Sequence, residues 1–341
     1  MRQRFQVPAA CCLAVAALAV APALVHGARA GLSSHSVQRS QMQAQSRAQT
    51  PNDDLARQAA PRPRIEFLGE WGVRGNGPAN LDLPVALASD TLGNAYIADA
   101  GSGFVHKFTA SGHPLLAFDD PRIANPVAIA VDADGYIYAA DGRSGRVFAF
   151  SPLGDPDREQ HAGGLVRFRA PSALAVDLDE NLFVADTALS AIGEYDKGGR
   201  FVRVVSRGNI GAARVHTPMA LAAALDGSLF AADASSGLIS RFSPHGDLLG
   251  MLGQATSPVR SKNPVSLTTS SKFLFCFDAA PPRLLVWTLD GTPYFEQDLA
   301  ARIALSKGIA DTRAAIAFVP PDVLLLLDPS SGKVLRFRTY F

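Results

Sequence analysis

One phrase recurs six times between residue 83 and the C-terminus, and it fixes what this chain can fold into. Its first copy is Leu83-Pro84-Val85-Ala86-Leu87-Ala88, a turn, Ala95-Tyr96-Ile97-Ala98-Asp99, a second turn at Ser102-Gly103, and Phe104-Val105-His106-Lys107-Phe108. Equivalent aspartates stand at Asp99, Asp141, Asp186, Asp233, Asp278 and Asp328, at spacings of 42, 45, 47, 45 and 50 residues. A period of this length carrying four short apolar runs implies a β-propeller, because one such unit cannot bury its apolar faces alone and must stack against neighbours. The expected fold is therefore all-β: six blades, each a four-stranded antiparallel sheet.

Five copies begin at Pro84, Pro126, Pro171, Pro218 and Pro264, where the first residue of a strand can lack a ladder donor. The sixth, Ala315-Ile316-Ala317-Phe318-Val319, has no proline. The repeated Asp closes the second strand and enters a tight turn, where a short carboxylate accepts backbone N–H groups, so all six are read as structural caps. Both ends of the chain predict how the ring closes. Lys333 to Phe341 reads as a third strand with no fourth behind it, and Ile65-Glu66-Phe67-Leu68-Gly69-Glu70-Trp71 as a fourth strand with none before it. Pairing the two completes the last blade and removes two exposed sheet edges.

Residues 1–30 read as a signal peptide: Arg2 and Arg4, an apolar run from Val7 to Val25, then Ala28-Arg29-Ala30 as a small-residue cleavage pattern. An uncleaved membrane anchor is the alternative, since the apolar run approaches spanning length. Residues 31–62 are rich in Ser, Gln, Ala and Arg and poor in large apolar side chains, the composition of a disordered spacer. The propeller is expected over 63–341. Export to a periplasm or the extracellular space follows, and with Cys11 and Cys12 inside the leader the mature chain keeps only Cys276, so no intrachain disulfide is expected. The net charge of +1 gives no bulk attraction to nucleic acid or membrane.

The repeated phrases resemble the NHL repeat family, with its Pro-led apolar strand, its second strand ending in Ala-Asp or Phe-Asp and its aromatic-ended third strand; Phe67-Leu68-Gly69-Glu70-Trp71-Gly72 resembles the family's opening. The likeness covers about residues 64 to 341 and implies a six-bladed ring of the exported bacterial type. The family's Asn-His-Arg-Ile start to the third strand is replaced by Ser-Gly-Phe-Val at 102–105, Ser-Gly-Arg-Val at 144–147 and Ser-Gly-Leu-Ile at 236–239. Related rings include lyases and lactonases that hold a metal at the channel mouth, near the starts of the innermost strands. Here those strands begin Val85-Ala86, Val127-Ala128, Ser172-Ala173, Met219-Ala220, Val265-Ser266 and Ala314-Ala315, which offer no metal ligand and no general base. No metal site, cofactor or catalytic residue is assigned.

Other motifs reduce to turns. Asp132-Ala133-Asp134-Gly135 starts like a calcium loop but lacks the third acid and the closing Glu. Gly72, Gly75 and Gly77 precede no helical pattern and so do not form a dinucleotide loop. His216, beside the channel mouth, is the histidine worth testing, whereas His106, His113, His161 and His245 are expected on outer strands or turns.

Charge divides between the two faces of the expected ring. Connections from fourth to first strands and from second to third strands share one face, which receives Arg74, Arg122, Arg143, Arg146, Arg167, Arg169, Arg207, Arg214, Arg260, Lys262, Arg283 and Lys333. The opposite face receives Asp90, Asp132, Asp134, Asp155, Asp157, Asp177, Asp179, Glu180, Asp196, Asp226, Asp247 and Asp290, largely in hairpin turns. Turn chemistry does not account for the arginines, and guanidinium groups suit carboxylate and phosphate contacts. The expected function is a non-catalytic binding module or scaffold that docks an acidic protein surface or polyanion on its Arg-bearing face, within an envelope or extracellular complex. Export argues against nucleic acid as the partner. A metal-dependent lyase or lactonase and a glycan-binding module stand as alternatives; the second requires exposed aromatic side chains, and this face has few.

Overall fold

A computed structural model describes residues 62–77, 79–157, 167–208, 215–300 and 314–341. The expected leader and all but the last residue of the expected spacer lie outside the described residues.

The first strand, β1 (Arg64–Trp71), belongs to the last blade. Blade 1 is β2 (Pro84–Ser89), β3 (Asn94–Asp99), β4 (Phe104–Thr109) and β5 (Pro114–Asp119); blade 2 is β6 (Pro126–Val131), β7 (Ile137–Asp141), β8 (Arg146–Phe150) and β9 (Pro156–Asp157). Blade 3 follows as β10 (Pro171–Val176), β11 (Leu182–Asp186), β12 (Ala191–Tyr195) and β13 (Phe201–Arg207), and blade 4 as β14 (Pro218–Ala223), β15 (Leu229–Asp233), β16 (Leu238–Phe242) and β17 (Leu248–Leu252). Blade 5 is β18 (Pro264–Thr269), β19 (Phe273–Ala279), β20 (Pro282–Thr288) and β21 (Pro293–Asp298). Blade 6 contains β22 (Ala315–Val319), β23 (Val323–Asp328) and β24 (Lys333–Tyr340), with β1 hydrogen-bonded outside β24. The six four-stranded antiparallel sheets and the closure by the N-terminal strand are those expected.

The prolines do more than open the inner strands. In blades 1 to 5 the ladder shifts register immediately after the proline, between Pro84 and Ala86, Pro126 and Ala128, Pro171 and Ala173, Pro218 and Ala220, and Pro264 and Ser266. Proline brings no N–H to the ladder, so the pairing skips one residue and leaves a bulge there. The skipped residues are Val85, Val127, Ser172, Met219 and Val265, and all five line the mouth of the central channel. Blade 6 lacks the proline, and β22 pairs with β23 without a shift.

The second strand of each blade is the buried one: β7, β11 and β15 are buried at every position, β3 and β23 at all but the first. Its alternate residues face the two neighbouring blades, so the apolar runs are nearly continuous, unlike those of a one-sided sheet. Alanines at Ala128, Ala130, Ala173, Ala175, Ala220 and Ala222 keep the inner strands thin where they crowd toward the axis, and larger side chains such as Phe230, Trp287 and Phe337 fill the widening space behind them. At the closure, β1 pairs from Arg64 with Tyr340 to Trp71 with Val334. The Phe67 ring lies 5.6 Å from Phe337, while Trp71 lies 4.8 Å from Phe108 and donates its indole N–H to the Ala110 carbonyl at 3.2 Å. A side chain at Gly112 would stand 2.4 Å from the Trp71 ring, so the turn that receives this ring has no room for one. Trp71 thereby ties the last blade to the first.

Candidate functional site

The six repeated aspartates are almost fully buried and carry out the capping role read from the sequence. Asp99 accepts the N–H groups of Gly101 and Ser102 in its own turn, Asp186 that of Leu189, Asp233 that of Ser235 and Asp328 that of Ser330. Five of them also reach the connection that arrives from the preceding blade, which the sequence did not disclose. Asp99 accepts Asp82 N and Leu83 N, Asp186 accepts Arg169 N and Ala170 N, Asp233 accepts His216 N and Thr217 N, and Asp278 accepts Lys262 N and Asn263 N, at 2.7–3.2 Å. Asp141 takes Asn125 N and Ser144 N. Each of these five carboxylates thus fixes the backbone immediately ahead of an inner strand and sets the geometry of the channel mouth.

Burial opposes the negative charge of Asp233, but hydrogen bonds from the Ser235 hydroxyl and from the Thr217, Ser235 and His216 backbones outweigh it, and its carboxyl sits below the ordinary value. A lowered folded-state pKa contributes stability that is present above the unfolded value, about 3.9, and lost as the pH falls through the folded value. The stability gap between wild type and Asp233→Asn in urea unfolding is therefore expected to be widest at neutral pH and to narrow toward pH 3.

A cavity opens at each mouth of the channel. The one at the connection face measures about 420 Å³ and is lined by the five skipped residues and Ala315. Its hydroxyls are already engaged: Ser172 donates to the Pro218 carbonyl at 2.6 Å, Thr187 to the Ala170 carbonyl at 3.2 Å, and Ser266 accepts Ile316 N at 3.0 Å. The lining side chains are mainly apolar, with the Asn125 carboxamide as a further polar group. The opposite mouth, about 520 Å³, is acidic over blades 1 to 3 through Asp90, Asp132 and Asp177 and apolar over blades 4 and 6. These carboxylates are turn residues. Asp90 accepts Asn94 N and the Tyr96 hydroxyl, Asp132 accepts Tyr136 N and the Tyr138 hydroxyl, and Asp177 accepts Asn181 N. Burial and the neighbouring carboxylate push both tyrosine hydroxyls well above their ordinary pKa. Among the described residues no group of three His, Cys, Asp or Glu side chains could hold a metal ion.

The charges gathered on the connection face from the sequence divide into three groups. Arg122 forms a bidentate pair with Asp120, which raises its pKa further, and stacks on Phe148; Arg283 is inserted between Asp278 and Glu296; Lys333 pairs with Glu70. Their charge is spent internally. Arg74, Arg167 and Arg260 are exposed and donate to the carbonyls of Ser330, Ser144 and Ser257, which orients each guanidinium and leaves its charge unneutralised. Arg143, Arg146, Arg169, Arg207 and Lys262 are exposed and have no side-chain partner among the described residues. Arg214 and His161 lie outside the described residues. His216 is exposed beside the mouth, and His113 and His245 are exposed in turns between third and fourth strands. His106 lies on the third strand β4 and is completely buried there between Phe104 and Phe108, with its Nε2 3.9 Å from Asp99. Cys276 is free and buried within β19, where burial and Asp278 hold its thiol well above the ordinary pKa.

The sequence missed one relation among these residues. Arg169, His216 and Lys262 each stand two positions before the proline of an inner strand, and each gives its backbone N–H to the Oδ2 of the capping aspartate. They are the same position of the repeat on three consecutive blades. Asp82 and Ala124 hold that position on blades 1 and 2. The proline offset was the available signal.

No protein-family model matches the chain, and no curated protein matches it. Among solved structures, virginiamycin B lyase from Staphylococcus aureus aligns with a TM-score of 0.56 at 11% identity, over 81% of this chain and 99% of that one. A streptogramin B lyase aligns equally well, with a TM-score of 0.56 at 12% identity, over 83% of this chain and 99% of its own. A chain of a nidogen/laminin complex aligns at 19% identity with a TM-score of 0.52, over 63% of this chain and 80% of that chain. At these identities the likeness establishes a shared fold, a six-bladed β-propeller that elsewhere serves both an enzyme and a protein complex.

Proposed function

We propose that this propeller is a non-catalytic binding module whose connection face docks an acidic protein surface. The observation that carries the reading is the set of five exposed cations, Arg143, Arg146, Arg169, Arg207 and Lys262, which have no side-chain partner among the described residues, on the face where Arg122, Arg283 and Lys333 are neutralised. Unpaired guanidinium groups at a surface cost little in the free protein and become charge-assisted hydrogen bonds when carboxylates arrive. The apolar lining of the adjacent mouth, its hydroxyls turned into the ring's own backbone, supports binding over acid–base chemistry there. The export signal read in residues 1–30 supports a partner in the envelope or outside the cell, and the nidogen/laminin likeness supports protein binding only at the level of the fold.

The test is affinity capture from envelope extract with wild type and with Arg143→Glu/Arg146→Glu/Arg169→Glu/Arg207→Glu, followed by mass spectrometry. The expected result is a partner captured by wild type at low salt, weakened by rising ionic strength, and absent from the variant. Equal capture by both proteins would refute the reading.

A further inference from the structure

We infer that the channel mouth on the connection face is the anchor pocket of this interface, taking an aliphatic side chain from an acidic peptide segment whose neighbouring carboxylates are held by Arg169 and Lys262, with His216 between them. The inference rests on the reading above and specifies which part of the face carries recognition.

Three observations meet at this place. The first is the pocket's origin: the proline bulges turn Val85, Val127, Met219 and Val265 into the mouth and leave about 420 Å³ among them. That volume is within the range of small-ligand sites. The second is its chemistry: Val85, Val127, Met219, Val265 and Ala315 make most of the lining, and of its polar side chains Ser172, Thr187 and Ser266 have backbone partners, which leaves the Asn125 carboxamide as the polar group open to a guest. A sugar or another polar guest would surrender hydrogen bonds to water and recover few, whereas an aliphatic group gains by leaving water. The third is the asymmetry of the rim. Immediately outside the lining, the equivalent position is Arg169 on blade 3, His216 on blade 4 and Lys262 on blade 5, against Asp82 on blade 1 and Ala124 on blade 2. Asp186, Asp233 and Asp278 hold the three backbones alike, and all three side chains are exposed. An apolar well with cations along one side fits an apolar group that carries negative charge on that same side. A buried central anchor surrounded by polar contacts is also how binding energy concentrates in protein interfaces.

The probe is a labelled, end-blocked peptide of sequence Glu-Asp-Leu-Glu-Asp, measured by fluorescence anisotropy against the full chain. Replacing its leucine by serine is expected to weaken binding about tenfold or more, the loss that follows from leaving a leucine side chain in water. Replacing its acids by Gln and Asn is expected to weaken it comparably. On the protein side, Met219→Trp, which fills the well, should reproduce the leucine loss, and Arg169→Glu/Lys262→Glu the loss of the acids. Val127→Phe serves as a second plug, with thermal unfolding confirming that each variant folds. Absence of peptide binding, indifference to the plugs, or stronger displacement by decanoate than by the unlabelled peptide would overturn the inference. If the plugged protein still captures the envelope partner that the four-arginine reversal loses, the acidic-partner reading stands and the mouth is not its anchor. If the reversal leaves capture unchanged, the broader reading fails independently of the peptide result.

Discussion

A chain that starts at Gly72, lacking β1, is expected to lose cooperative unfolding and to aggregate at concentrations where the full propeller stays monomeric. β1 supplies the seven residue pairs that finish blade 6, the Phe67–Phe337 contact, and the Trp71 ring and indole bond that join blade 6 to blade 1. Without it, β24 from Lys333 to Tyr340 becomes a long sheet edge rich in Val, Leu, Phe and Tyr, with its outward N–H and C=O groups unpaired. The ring also opens, because Phe108 and Gly112 of blade 1 lose the ring that covers them. Size-exclusion chromatography and denaturation followed by circular dichroism read both effects. A single transition at the wild-type midpoint, with a monomeric elution volume, would show that closure by β1 is dispensable.

The second large effect is expected at Asp278. Its carboxylate is inaccessible to solvent, accepts Lys262 N and Asn263 N from the incoming connection, and lies 2.9 Å from Arg283 Nη2. Desolvation works against the Arg283 charge, yet bonds to Glu296 and Asp278 prevail and raise its pKa. Asp278→Ala removes one partner of a buried pair and two acceptor bonds together, and a loss of about 3–5 kcal/mol is expected in urea unfolding. A loss below about 1 kcal/mol, the scale of an exposed pair, would show that this carboxylate is not structural. Because the same residue fixes the Lys262 backbone, the variant also tests whether the capping aspartates shape the mouth's rim.

Local grammar made the fold legible. A Pro-led run, a run ending in Asp and an aromatic-ended run depend on residues close in sequence, and repetition at a steady spacing multiplied a weak local signal into an architecture. Even the exceptional sixth copy was visible as a missing proline. The candidate site was legible only as a set. Arg169 and Lys262 were found by sorting connections between faces and His216 by its place beside the channel mouth, but the same sorting also returned Arg122, Arg283 and Lys333, whose charges are spent on Asp120, Asp278 and Glu70. Pairing is a long-range fact: Lys333 and Glu70 lie 263 residues apart. The burial of His106 was not legible for a related reason, since its place on a third strand was expected but the packing of Phe104 and Phe108 around it is a tertiary fact.

By itself, the sequence determined the class of fold, the number of blades, the closing strand and the capping aspartates, because each follows from periodic apolar patterning and turn chemistry within a few tens of residues. Only the tertiary structure decided which cations have no side-chain partner among the described residues, that capping carboxylates reach the preceding connection, and that the residues skipped after each proline converge on one well. Those properties depend on neighbouring blades being brought side by side, and five repeats that each place one residue at an axis make a pocket only when the ring closes.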